Sequence, residues 1–347
     1  MRRRAKRMLL ASLKLAAALG VIAYVLSSGR VDLREIAVGA DWRWIAAAWA
    51  LLLAIPLIGW LRWWSIVRAV GLDLGLYAAF RIQMIGMFFN AFLFGVTGGD
   101  LFKAYYIAAG AGRERKAAAV TTVIVDRVVG IVGLLLLTGC CLAAAWSEIV
   151  TNPLLMGIAI AFAAVYGGAI VVMVLLLMPR LRASRRRWLD TRAACAGLAG
   201  RIARAVNEMD EALQAAVKRP LTSLACLAAS VLAHVATSTS FYFFARALGV
   251  ESIPYYKYLI LAPLALGVTA LPVFPAGGAG FGEAFASVVF SSAGGVARSV
   301  GGNVLLLWRA GLFLTGPVGL VYFVLARKEV RRARAEAEEA VDGPDTG

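Results

Sequence analysis

Gly86-Met-Phe-Phe-Asn-Ala-Phe-Leu-Phe-Gly-Val-Thr-Gly-Gly-Asp-Leu-Phe-Lys-Ala-Tyr-Tyr106 begins as an apolar run, breaks at Gly95, Gly98 and Gly99, and then sets Asp100 and Lys103 among aromatics. Further on, Asp126 and Arg127 interrupt a second apolar run. Insertion scales put the cost of an ionised group at the centre of a membrane helix at roughly 2.5–3.5 kcal/mol, so such groups face a partner or a cavity. Glycine breaks a helix, and open backbone polar groups survive at membrane depth only inside protein or against water. The stretch therefore predicts a broken, re-entrant hairpin over 77–109, with Asp100, Lys103, Asp126 and Arg127 as candidate site residues.

The rest of the chain agrees with a bilayer setting. Its 347 residues are 61% hydrophobic and its mean hydropathy is +0.78, well outside the range of soluble domains. The net charge of +16 gathers at the ends of apolar runs. That is the positive-inside pattern, with attraction to anionic headgroups, and no aromatic-basic platform suggests nucleic acid. Cys140 and Cys141 are adjacent while Cys195 and Cys226 stand apart, which offers neither metal spacing nor a disulfide framework. No metal or cofactor is expected, and no Gly-x-x-x-x-Gly-Lys phosphate loop is present.

Crossing about 30 Å of hydrocarbon takes about 20 helical residues. Eight runs approach this: Met8–Leu26, Trp42–Leu61, Ala117–Ala145, Asn152–Met178, Leu221–Ala245, Tyr256–Val273, Ala279–Ser292 and Asn303–Ala326. The first, preceded by Arg2, Arg3, Arg4, Lys6 and Arg7, reads as a retained signal anchor. With both termini cytoplasmic, Lys and Arg fall inside if 77–109 enters and leaves on one face. Residues 181–219 carry apolar positions at gaps of three and four among many arginines, predicting an amphipathic cytoplasmic helix. Residues 1–326 form one transmembrane domain, and 327–347 read as a disordered tail. The fold class is an all-α polytopic membrane protein of about eight transmembrane helices plus glycine-broken segments.

A second break, Leu271-Pro-Val-Phe-Pro-Ala-Gly-Gly-Ala-Gly-Phe-Gly-Glu-Ala-Phe285, echoes the first, and two such segments suggest an inverted repeat around a midplane substrate site. A helix starting after such a break offers N–H groups and a positive dipole end to a phosphate. Gly98, Gly99, Gly278 and Gly280 would supply that backbone, Asn90 would hydrogen-bond it, and Tyr106 would line it. Arg309 is expected to pair with Glu283 and Asp100 with Arg127. Asp126 and Arg127, being sequence neighbours, need separate partners. His234, amid an apolar span, reads as an interhelical hydrogen bond. Tyr105, Tyr255, Tyr256 and Tyr258, with Trp42, Trp44, Trp60, Trp63 and Trp64, read as interfacial anchors.

Phe88-Phe-Asn90, Gly98-Gly-Asp100, Lys103-Ala-Tyr-Tyr106, Asp126-Arg127 and Gly277-Gly-Ala-Gly-Phe-Gly-Glu283 together resemble the lysylphosphatidylglycerol synthase transmembrane family. This is the flippase-like domain also found at the N-terminus of the multiple peptide resistance factor. The resemblance covers the chain to about Ala326 and implies a lipid translocase of the bacterial inner membrane. Its cargo would be a phospholipid or lipid-linked headgroup. Many members carry a basic residue where this chain has Gly282. Synthase members add a C-terminal aminoacyl-transfer domain, which this chain is expected to lack, so enzymatic activity is not expected. Membrane lipids are the expected partners, with room for a homo-oligomer and for envelope-biosynthesis enzymes. Two other readings stand beside this one: a scaffold for a cell-envelope enzyme, and a polyprenyl-phosphate glycosyltransferase using Asp32 or Glu35.

Overall fold

The computed structural model describes residues 35–92, 98–112, 115–151, 178–193, 198–269 and 280–341, with scattered positions between 151 and 178. The expected first span, the core of the second break with Gly278, and most of Asn152–Met178 lie outside the described residues. Among the described residues all regular structure is helical. A π-helical turn, Glu35–Gly39, precedes α1 (Trp42–Ala69), α2 (Leu76–Phe92), α3 (Gly98–Gly110), α4 (Lys116–Ala144) and the short α5 (Trp146–Thr151). Then come α6 (Pro179–Ala193), α7 (Leu198–Val217), α8 (Pro220–Ala247), α9 (Tyr255–Thr269), α10 (Phe281–Gly294) and α11 (Arg298–Val341).

Four described helices are long and apolar enough to cross a membrane: α1, α4, α8 and the Arg298–Ala326 part of α11. The expected spans Tyr256–Val273 and Ala279–Ser292 instead give α9 and α10, of 15 and 14 residues. At 1.5 Å per residue α10, capped at Gly280 and Gly295, falls short of the hydrocarbon thickness. α9 and α10 pack against one another as α2 and α3 do, so the second break makes a second hairpin of two short helices.

A repeat is now visible in element lengths. The first half runs as a 28-residue helix, a short-helix pair and a 29-residue helix; the second half repeats that order with the 28-residue α8, the short pair α9–α10 and the long α11. The halves run in opposite senses, because α1 and α8 pack antiparallel. At one end the Asp41 amide donates to the Ala247 carbonyl at 2.8 Å. Nearer the other end, Arg62 late in α1 meets Ser230 early in α8.

Two apolar clusters hold the bundle. One joins Ile45, Ala48 and Leu52 of α1 to Phe241 and Phe244 of α8, Leu261 and Ala265 of α9, Phe290 of α10 and Leu305 of α11. The other gathers Trp63, Ile66 and Val67 of α1 with Ala79, Ile107, Ala119, Val123 and Cys226. Trp49 ties α1 to α11 by donating its indole N–H to the Leu307 carbonyl at 3.1 Å. Trp49→Phe keeps an aromatic ring and removes that interhelical bond; the expected cost is about 1 kcal/mol, read as a lowered thermal midpoint in detergent.

Several expectations change. Residues 181–219 form two helices, α6 and α7, packed side by side through Arg186–Glu211 and Asn207–Asp190 rather than one helix lying alone. The apolar stripe of α7 covers part of α4, where Ala203 and Ala212 are buried. Trp63 and Tyr258 are core residues at 0% exposure, not interfacial anchors. Trp60 and Trp64 do sit at a helix end, donating to the Leu76 and Leu74 carbonyls of the α1–α2 connection. Residues 327–341 continue α11 instead of forming a loose tail, as their alanines, arginines and glutamates are strong helix formers.

Candidate functional site

Among the described residues the buried charges, Lys103, Asp126 and Glu283, fall in two places. At the first, Asp126 of α4 accepts from two cations. The Arg62 Nε donates to its Oδ1 at 2.8 Å and the Lys103 Nζ reaches its Oδ2 at 3.4 Å. All three side chains are largely buried. Arg62 also donates to the Ser230 hydroxyl at 2.7 Å, which passes its own proton to the Cys226 carbonyl at 3.0 Å. The Lys103 ammonium lies 4.4 Å from the centre of the Trp63 ring, whose negative face favours a desolvated cation. Trp63 in turn donates to Thr122 at 3.3 Å. Four helices are thus tied through one carboxylate.

One residue on and about 100° round the helix, Arg127 also faces α3 and donates through Nε to Asp100 in its first turn. This pair is more open: the Arg127 side chain is 42% exposed. The carboxylate of Asp100 sits near the helix N-terminus, where the dipole favours an anion. Asn90 accepts from the Gly99 amide at 2.7 Å and so joins α2 to the start of α3. The hairpin halves come so close here that a Cβ on Gly99 would run into the Gly86 carbonyl.

At the second place, Glu283 in the first turn of α10 accepts from the Arg309 Nε at 2.5 Å and from the Gly280 amide at 2.7 Å. Gly280 has a φ of 83°, a conformation natural to glycine, and it caps α10. Glu283 is buried. A cavity of about 30 Å³, lined in part by Ala145, Lys257, Leu264 and Ala293, lies elsewhere and holds none of these groups.

A family model described as lysylphosphatidylglycerol synthase TM region matches residues 11–332. The chain belongs to this family. No curated protein and no solved structure matches it.

In this lysylphosphatidylglycerol synthase TM-region protein the expected pairs Asp100–Arg127 and Glu283–Arg309 are both present. Asp126 and Arg127 diverge, as adjacent helical positions must. His234 bonds through Nε2 to the Gly130 carbonyl of α4 at 3.0 Å, the interhelical role expected of it. Asn90 serves the broken backbone, and Tyr106 packs among the aromatics around Phe89 and Phe323. Gly278 is outside the described residues.

Arg62 and Ser230 are additions. Arg62 reads in sequence as a charge at the inner end of a span stopping at Leu61. The signal lay just beyond it, in Trp63-Trp64-Ser-Ile-Val67, which carries the apolar pattern another two turns. Since α1 ends at Ala69, Arg62 is inside the bundle and needs an acid.

Proposed function

We propose that this protein is a lipid translocase of the bacterial inner membrane, moving a phospholipid or lipid-linked headgroup between leaflets. The observation that carries the reading is the set of glycine-started helices with acids in their first turns. Each acid is paired to an arginine about 16 Å into a long apolar helix, at the 1.5 Å rise. A headgroup phosphate is an anion that a guanidinium can take in place of a carboxylate, in matching two-point geometry. The acyl chains would stay in lipid while the headgroup crosses between the repeats. Both hairpins would be re-entrant, both termini cytoplasmic, and any driving energy would come from an ion gradient. The family's membrane domain is of the flippase type, which favours transport over enzymatic chemistry.

The test is headgroup translocation by purified protein in vesicles of phosphatidylglycerol and phosphatidylethanolamine. Arg127→Gln and Asp100→Asn are expected to reduce the rate at least tenfold. Each variant leaves its partner's charge uncompensated within the membrane domain, so each is first checked for a folded, monodisperse population. Movement of no lipid, with or without an imposed proton gradient, would reject the translocase and favour a scaffold for an envelope enzyme.

A further inference from the structure

The two ion pairs are equivalent in position and unequal in exposure. Asp100 and Glu283 each stand two residues past the start of the second helix of their hairpin. Arg127 and Arg309 each stand eleven residues past the start of the long helix that follows. The rest of the network is not repeated. Counting along the matching helices, Arg62, Lys103 and Asp126 fall on Ser240, Ala286 and Trp308. What recurs is the acid–arginine pair alone.

The two copies differ in openness. Arg127 and Asp100 are 42% and 20% exposed, against 17% and 6% for Arg309 and Glu283. The rim of the first pair is apolar and outward-facing: Leu101 and Tyr105 on α3, Ile124 and Ile131 on α4. Ile124 and Ile131 are three before and four after Arg127, and so share its face of the helix. Tyr105 is 68% exposed, whereas Val288, at the matching place on α10, is 37% exposed.

We propose that the pairs at Arg127 and Arg309 are two repeat-related stations for a lipid phosphodiester, opened in turn. In this conformer the Arg127 station faces the membrane and the Arg309 station is shut. Each empty station is a neutral pair, which limits the cost of keeping an arginine at depth. A phosphodiester arriving along the apolar rim takes the guanidinium from its carboxylate. Because the repeats are inverted, exchanging their conformations shuts one station and opens the other toward the opposite leaflet. This rests on the translocase reading and adds an order of events to it.

The experiment places the photoreactive residue benzoylphenylalanine at Tyr105, at Val288 or, as a control, at exposed Leu53 of α1. Full-length protein in phosphatidylglycerol and phosphatidylethanolamine vesicles is then assayed for lipid adducts. Glu283→Gln should loosen the shut station. The adduct at Val288 is expected to rise about fivefold or more, the low end of two-site coupling, while that at Tyr105 falls and that at Leu53 stays constant. A rise at Val288 with no fall at Tyr105, or no change at either, overturns alternation. If Glu283→Gln is not monodisperse, Arg309→Lys, which keeps the charge but loses the two-point fork, takes its place with the same expected exchange. Adducts that survive excess inorganic phosphate assign the station to lipid; adducts competed away by it overturn that assignment. Headgroup movement is measured on the same vesicles. Reciprocal adducts without movement would sustain the alternating stations and reject translocation, whereas movement without reciprocity would do the reverse.

Discussion

Asp126→Ala is expected to destabilise the protein by about 3–5 kcal/mol, the usual result of removing one member of a buried ionic group. The reason is arithmetic of charge at depth. Asp126 is the acid between Arg62 and Lys103, all three largely shielded from solvent. Without it two cations remain in a low-dielectric setting without their shared acid, beside the Ser230 hydroxyl on one side and the Trp63 ring on the other. The loss should appear as a much lower thermal midpoint in detergent and a reduced yield of folded protein. Asp126→Asn, which keeps the side-chain volume, should show most of the same loss, and adding Lys103→Met to it removes one cation and should recover part of it. That recovery separates charge imbalance from a packing defect, since Asp126→Asn and the double variant both keep the side-chain volumes close. An unchanged midpoint for Asp126→Ala would mean that water reaches and screens both cations.

Gly99→Ala is the second large effect. The added methyl would overlap the Gly86 carbonyl oxygen and crowd the Asn90 side chain. The nearest obstacle is backbone, so no rotamer change relieves it and the two short helices must separate. Overpacking of this kind costs about 1–3 kcal/mol, and separation also weakens the bond from the Gly99 amide to Asn90. Gly110→Ala, on the same helix where a Cβ meets open space, is the matched control and should be neutral or slightly stabilising. Thermal midpoints of the two variants decide the matter. Equal midpoints would show that α2 and α3 do not pack this tightly in the membrane. Because Asp100 follows directly, Gly99→Ala should also displace the carboxylate from Arg127 and slow headgroup movement.

These two predictions concern different kinds of information in the chain. A glycine at a helix crossing is visible in sequence as a break, and the Gly95–Gly99 cluster marked the hairpin. Which backbone presses on it is a tertiary fact: Gly86 carries no sequence signal that singles it out from the other glycines. In the same way, a charge inside an apolar run marks itself, because only a partner or a cavity makes it tolerable there. Asp100, Asp126, Arg127, Glu283 and Arg309 were legible for that reason. Even the pairings of Arg127 and Arg309 followed, since each hairpin contributes one acid at its second helix start and each following long helix one arginine.

Arg62 was not legible, because a basic residue near the end of an apolar run is also what the positive-inside pattern produces. Only the length of α1, running to Ala69, and its antiparallel packing on α8 decide that the guanidinium faces Asp126 and Ser230. Trp63 and Tyr258 failed for a related reason. An aromatic beside a charge looks interfacial, but Arg62 beside Trp63 is itself largely buried, and Tyr258 turns into the core although Lys257 beside it does not. The run Ala279–Ser292 was taken for a full span, because hydropathy counts apolar residues without knowing that the helix is capped at Gly280 and Gly295.

By itself, then, the sequence determined that the chain is an all-helical membrane protein, where its two broken segments fall, and which charges need partners. Those properties follow from local composition against the energetics of a bilayer. The tertiary structure alone decided that α1 and α8 pack antiparallel, that Arg62 and Lys103 share Asp126, and that one acid–arginine pair is more exposed than its counterpart. Each of these depends on which helices meet and in what direction, and helix association in a membrane is set by close packing and polar pairing that hydropathy does not encode.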